Sequence, residues 1–223
     1  MRIYENGKNW VIEDQLNEKL VEKINNLIDE NLNNLLKLKK GYSTTGKNAE
    51  QYWLIKLNDF YFKNKTFDDI KIEYKSQILN RLKKSNLLDE KIQENISLEN
   101  SNCWSVIGEE NSYHTPHSHN DKETIAVSTV LYLKVPQTNV ENEPENNLFL
   151  FMNADANNNF YYKNNRIINI NPIVGKLLIF PDWIIHGTCP QSKGIRQTFN
   201  IDYLLVPLEE KNKKNLKYNF NYA

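Results

Sequence analysis

Four histidines stand in the chain, and three of them crowd into one stretch, Tyr113-His114-Thr115-Pro116-His117-Ser118-His119-Asn120-Asp121-Lys122-Glu123. Along an extended strand, side chains alternate between faces, so His117, His119 and Asp121 would project to the same side. A pair such as His117 and His119 can grip one metal ion from one edge of a barrel. The fourth histidine, His186, follows a second apolar strand and can close the site from the opposite edge. Imidazoles with a carboxylate, leaving positions open for oxygen and a chelating cosubstrate, form the facial site of non-haem iron(II) oxygenases. His114 is out of phase with the others and precedes Thr115-Pro116, so it reads as an ordinary loop or surface residue.

A second constellation lies downstream, in Gly175-Lys-Leu-Leu-Ile-Phe-Pro-Asp-Trp-Ile-Ile-His186 and Arg196-Gln-Thr-Phe-Asn-Ile-Asp202. Arg196 opens an otherwise apolar strand, and Thr198 falls on the same face. A guanidinium is a planar fork that pairs bidentately with a carboxylate, and a hydroxyl two residues on can add a further bond. Such a pair suits the distal carboxylate of a dicarboxylic acid such as 2-oxoglutarate, whose keto-acid end would chelate the metal.

These residues need elements to hold them. From Asn102 onward the sequence breaks into short β-rich segments punctuated by Asn, Pro and Gly. Strands are expected at 103–107, 113–119, 124–135, 147–152, 160–163, 166–170, 175–180 and 196–206, a pattern that suggests a barrel or jelly roll. Upstream, apolar residues from Ile12 to Leu35 recur at helical spacing, giving a first helix over 11–40 with Gly41 placed to stop it. A second helix is expected over 66–84, with Ile70, Tyr74, Ile78 and Leu82 on one face. The aromatic-rich stretch 52–62 fits helix or strand equally well. The expected architecture is α+β: one domain over 1–223, with a mainly helical part (1–100), a β core (101–207) and a C-terminal tail (208–223).

Composition narrows the function. The 223 residues are long enough for one full core. Lys+Arg and Asp+Glu balance at 28 each, so no net field draws the protein to nucleic acid or to an anionic membrane. Two cysteines, Cys103 and Cys189, are too few for a disulfide-stapled scaffold. No run of about 18 apolar residues and no hydrophobic leader occurs, and a cytoplasmic location is expected. The long first helix is a plausible element for a homodimer.

The segments Trp104…His117-Ser-His119, Ser128-Thr-Val-Leu-Tyr-Leu-Lys-Val-Pro136 and Gly175…His186-Gly…Arg196-Gln-Thr-Phe-Asn200 resemble a little-characterised family of 2-oxoglutarate–iron(II) oxygenases, over roughly residues 100–206. The resemblance implies a double-stranded β-helix, with Fe(II) on His117, His119 and His186 and 2-oxoglutarate on Arg196 and Thr198. It implies oxidative decarboxylation of 2-oxoglutarate with O2 and, by default, hydroxylation of a small molecule, amino acid or peptide. The wider superfamily uses His-x-Asp for its first two ligands. His119-Asn-Asp121 also satisfies that pattern, so two registers are open. Two rival functions share the chemistry or the scaffold. The first cupin motif would use His117, His119 and Glu123 with no 2-oxoglutarate, and leaves Arg196 and Thr198 without a purpose. A non-catalytic binding module would offer aromatics such as Trp53, Tyr61, Tyr161 and Tyr162 to a ligand and carry no iron.

Overall fold

The computed structural model describes residues 1–35, 37, 48–56, 59–60, 62–88, 95–119, 126–136, 147–152 and 167–208. Two antiparallel sheets and a helical layer make up the molecule. The strands are β1 (Arg2–Asn6), β2 (Asn9–Gln15), β3 (Ala49–Lys56), β4 (Asp59–Phe60), β5 (Ile96–Gly108), β6 (His114–His117), β7 (Ala126–Lys134), β8 (Leu148–Phe151), β9 (Ile167–Ile170), β10 (Lys176–Pro181), β11 (His186–Thr188) and β12 (Arg196–Pro207). The major sheet runs β1-β2-β10-β7-β12-β5-β3-β4, and the minor sheet β6-β11-β8-β9. This is the jelly-roll architecture anticipated from the short strands; the sheets do not close into a barrel.

The helices α1 (Glu18–Glu30), α2 (Leu32–Leu35) and α3 (Lys65–Ser85) lie in the first ninety residues. Asn64 caps α3 by accepting the amides of Thr66 and Phe67, and Asn86 ends it in the left-handed region, where a short polar side chain is tolerated. Phe67, Ile70, Tyr74, Ile78 and Leu82, spaced three or four apart, form its buried stripe. This stripe and that of α1 pack on the outer face of the major sheet, against Cys103, Phe199, Ile201 and Tyr203. A second apolar cluster fills the space between the sheets, with Val130, Leu178 and Phe180 facing Leu148, Leu150 and Ile168. No helix among the described residues is long and apolar enough to cross a membrane.

Two expectations change. Among the described residues, the part before residue 100 adds four strands to its helices, β1–β4, which extend the major sheet at both ends. The first helix starts at Glu18 rather than Val11. Residues 11–15 belong to β2, which pairs with β1 on one side and β10 on the other. Val11 packs between the sheets while Trp10 and Ile12 pack under the helices. A strand covered on both faces carries adjacent apolar residues, and here these ran in phase with the helical stripe that follows. Asn17 marks the true start, its side chain accepting the amide of Lys19. The 52–62 stretch resolves into the β3–β4 hairpin. The strand expected at 160–163, Gly41 and the tail from 209 lie outside the described residues.

Candidate active site

The site is built where the minor sheet crosses the inner face of the major one. β11 lies between β6 and β8, and His186 is in register with His117 across the β6 pairing. Gly187 makes that placement possible: a Cβ there would stand 2.7 Å from Phe149 Cζ and 3.0 Å from the His114 carbonyl, so a side chain would push the strands apart. His119 lies just beyond β6, its amide donating to the Asp182 carbonyl at 2.8 Å. The result brings His117, His119 and His186 together, with one ring nitrogen from each lying within 4.8 Å of the others.

The rings are oriented as well as gathered. His117 Nδ1 is 2.7 Å from the Thr115 carbonyl, and His186 Nδ1 is 3.0 Å from the Ile184 carbonyl. His119 Nδ1 is 3.1 Å from Asp202 Oδ1 and 2.8 Å from Ser128 Oγ. Carbonyl and carboxylate oxygens only accept, so each Nδ1 carries its proton and each Nε2 keeps a lone pair. Burial disfavours the charged form of two of the rings: it pulls His186 well below the usual imidazole range and His117 down to about 4, with the neighbouring His119 adding to the latter effect. Neutral imidazoles with free Nε2 atoms are what a divalent metal requires.

The opposite wall is β12, whose alternate residues Arg196, Thr198, Asn200 and Asp202 line a cavity of about 220 Å³. Register across the sheet sets Tyr132, Val130 and Ser128 of β7 beside Thr198, Asn200 and Asp202, and on the other side Val106, Trp104 and Asn102 of β5. One end of the cavity is therefore cationic and hydroxylated, the middle apolar, and the other end carries a carboxylate. Arg196 is 4% exposed, and its Nη2 donates to Thr188 Oγ1 at 3.0 Å. Burial lowers its pKa from the usual guanidinium value, the sign of a charge that an incoming anion would stabilise. Asn200 donates to Thr198 Oγ1 at 3.0 Å, which leaves the Thr198 proton to point elsewhere. Tyr132 Oη is buried, lines the cavity and has no hydrogen-bond partner among the described residues. An orphaned phenol beside a buried arginine and a threonine hydroxyl fits a bound carboxylate.

Sequence reasoning missed four of these residues. Tyr132, Thr188, Asn200 and Asp202 are ordinary strand residues whose roles come from pairing; for Asn200 and Asp202, the two-residue alternation running on from Arg196 and Thr198 was the available signal. His114, expected to be an ordinary residue, lines the cavity, and burial together with His117 and Arg196 pulls its pKa to about 3. Its ring stands 5.9 Å from that of His117 and it is not part of the three-ring cluster. Asp121, Glu123, Tyr61, Tyr161 and Tyr162 lie outside the described residues, so the registers that use Asp121 or Glu123 have no geometry here.

A jelly roll with three convergent imidazoles at one end of a cavity and a buried arginine at the other defines the class: a non-haem iron oxygenase that uses 2-oxoglutarate. Residues 102–202 match the model of the family described as "Putative 2OG-Fe(II) oxygenase", a stretch that holds all three convergent histidines, Arg196 and Thr198. Three solved structures show the same fold. The chain resembles a prolyl-4-hydroxylase of Pseudomonas putida, with a TM-score of 0.57 and 16% identity over 87% of this chain and 91% of the other. A prolyl hydroxylase of Trichoplax adhaerens, in complex with a hypoxia inducible factor oxygen degradation domain peptide fragment, gives 0.53 and 14% over 95% and 89%. An oxidoreductase of the 2OG-Fe(II) oxygenase family from Burkholderia pseudomallei gives 0.53 and 7% over 86% and 93%. No curated protein sequence matches the chain.

Proposed function

We propose that the protein hydroxylates a small molecule, amino acid or peptide, with iron(II) held by His117, His119 and His186 and 2-oxoglutarate held by Arg196 and Thr198. The observation that carries this reading is the convergence of three oriented imidazoles within 4.8 Å, facing a buried guanidinium across one cavity. When bound, the iron and its cosubstrate supply the oxidising chemistry; the chain supplies position and charge. Arg196 pairs with the distal carboxylate as a planar fork, and the Thr198 and Tyr132 hydroxyls donate to the same group. Val130 and Trp104 flank Asn200 and keep the middle of the cavity apolar, limiting water around the bound cosubstrate. Trp53 of β3 also lines the cavity, its ring 5.3 Å from that of Trp104, and offers an aromatic surface to a substrate.

The test is anaerobic addition of iron(II) and then 2-oxoglutarate, watching for the visible charge-transfer band of the chelate. Wild type is expected to develop it, and His186→Ala to bind no iron and show no band. A His186→Ala protein that holds iron stoichiometrically would remove His186 from the ligand set.

A further inference from the structure

Asp202 is 5% exposed, and among the described residues no lysine or arginine pairs with it. Its Oδ1 accepts from Ser128 Oγ at 2.8 Å and faces His119 Nδ1 at 3.1 Å, while Asn102 Nδ2 approaches Oδ2 at 3.5 Å. Two neutral donors and one imidazole edge are poor compensation for a buried carboxylate, which costs several kcal/mol without a positive partner. A cation on the far side of the His119 ring would provide that partner. The same arithmetic holds from the metal's side. The common facial site contains two histidines and one carboxylate, whereas the cluster among the described residues is three imidazoles with no carboxylate among them.

We propose that Asp202 is the positioning residue of the metal site, supplying through His119 the negative charge that a ligating carboxylate would otherwise supply. By accepting the Nδ1 proton it fixes the ring's tautomer and makes Nε2 a stronger donor. Ser128 tempers this effect twice, because its hydroxyl donates to the same carboxylate oxygen and its own oxygen, 2.8 Å from His119 Nδ1, shares that proton with Asp202. The proposal rests on the three-histidine reading given above.

Asp202→Asn keeps an oxygen at the acceptor position and removes only the charge. Titration of the metal-free protein with Co(II), and with iron(II) under anaerobic conditions, is expected to show affinity weakened about 10- to 100-fold. The iron–2-oxoglutarate band is expected to move to higher energy, since the metal's electrons are held more tightly when the donor ring loses its carboxylate. Ser128→Ala, which leaves more of the Asp202 charge on His119, is expected to move the band the other way and to hold metal at least as tightly. A residue that merely ties β12 to β7 would lower the unfolding midpoint of the metal-free protein and leave affinity and band position unchanged; that result overturns the proposal. If Asp202→Asn does not fold, an unmoved band in Ser128→Ala overturns it instead. His186→Ala separates the two readings. If it keeps metal, the three-histidine site is wrong; if it loses metal while Asp202→Asn matches wild type, only the role of Asp202 fails.

Discussion

The two faces of β12 do opposite work on one backbone. Phe199, Ile201 and Tyr203 point outward into the helix-covered core, where each is fully buried. Arg196, Thr198, Asn200 and Asp202 point inward and line the cavity, nearly as buried yet polar throughout. The outer face gains from removing apolar surface from water, at about 25 cal/mol per Å². The inner face spends stability by burying a guanidinium and a carboxylate, and retains them as groups that a ligand can meet. Rigidity bought on one side positions chemistry on the other: Phe199 stacks edge-on against Tyr74 of α3 at 5.5 Å and so fixes the strand that carries Thr198 and Asn200.

That division can be broken by substitution, and the largest effect is expected on the outer face. Phe199→Ala removes a fully buried ring and should destabilise the protein by about 3–5 kcal/mol. Denaturant unfolding measures the loss, and the fraction that stays folded should bind 2-oxoglutarate with wild-type affinity. Reduced affinity in folded protein would mean that the two faces are not separable.

On the inner face, Arg196→Ala should cost about 2–5 kcal/mol of 2-oxoglutarate affinity, roughly thirty-fold to several thousand-fold, while iron is retained. Arg196→Lys should restore only part, because an ammonium lacks the planar fork. Titration of the chelate band reads both. Equal affinity in wild type and Arg196→Ala would detach this arginine from the cosubstrate.

The inner face should also make the metal-free protein sensitive to acid. His114 is held down to about 3 and His117 to about 4, against the ordinary 6.5, chiefly by burial. These folded values lie below the unfolded one, so between about pH 4 and 6.5 the unfolded chain binds more protons than the native one. Stability therefore falls as the pH drops through that window, by up to about 1.4 kcal/mol per pH unit for each such ring. Urea midpoints measured across the window check this, and a flat profile would mean that the rings are protonated in the native state. The smallest effects belong to single neutral hydrogen bonds: Thr198→Val and Tyr132→Phe should each weaken 2-oxoglutarate binding by about 1 kcal/mol, near five-fold.

How much of this was legible beforehand follows from which periodicities are local. The α3 stripe from Phe67 to Leu82 and the polar–apolar alternation of β12 are written in consecutive residues, because a helix or strand presents its faces at fixed spacing. The start of the first helix was misread because Ile12 and Leu16 continue the spacing of Leu20 and Ile24, although Val11 and Ile12 are buried on opposite sides of a strand. Burial on both faces is a property of the neighbours β1 and β10, which a local window does not contain.

By itself the sequence pointed to a jelly roll's run of short strands, and singled out His117, His119, His186, Arg196 and Thr198 as candidates for metal and carboxylate binding. Residue type and short spacing are enough for that, because ligand chemistry and strand alternation are local. Only the tertiary structure decided that β11 slides between β6 and β8 on the absent side chain of Gly187. Only it set Tyr132 beside Thr198, and turned Asp202 onto His119 from 83 positions away. Those juxtapositions depend on sheet register, and register is fixed by the packing of the whole sandwich rather than by any one strand.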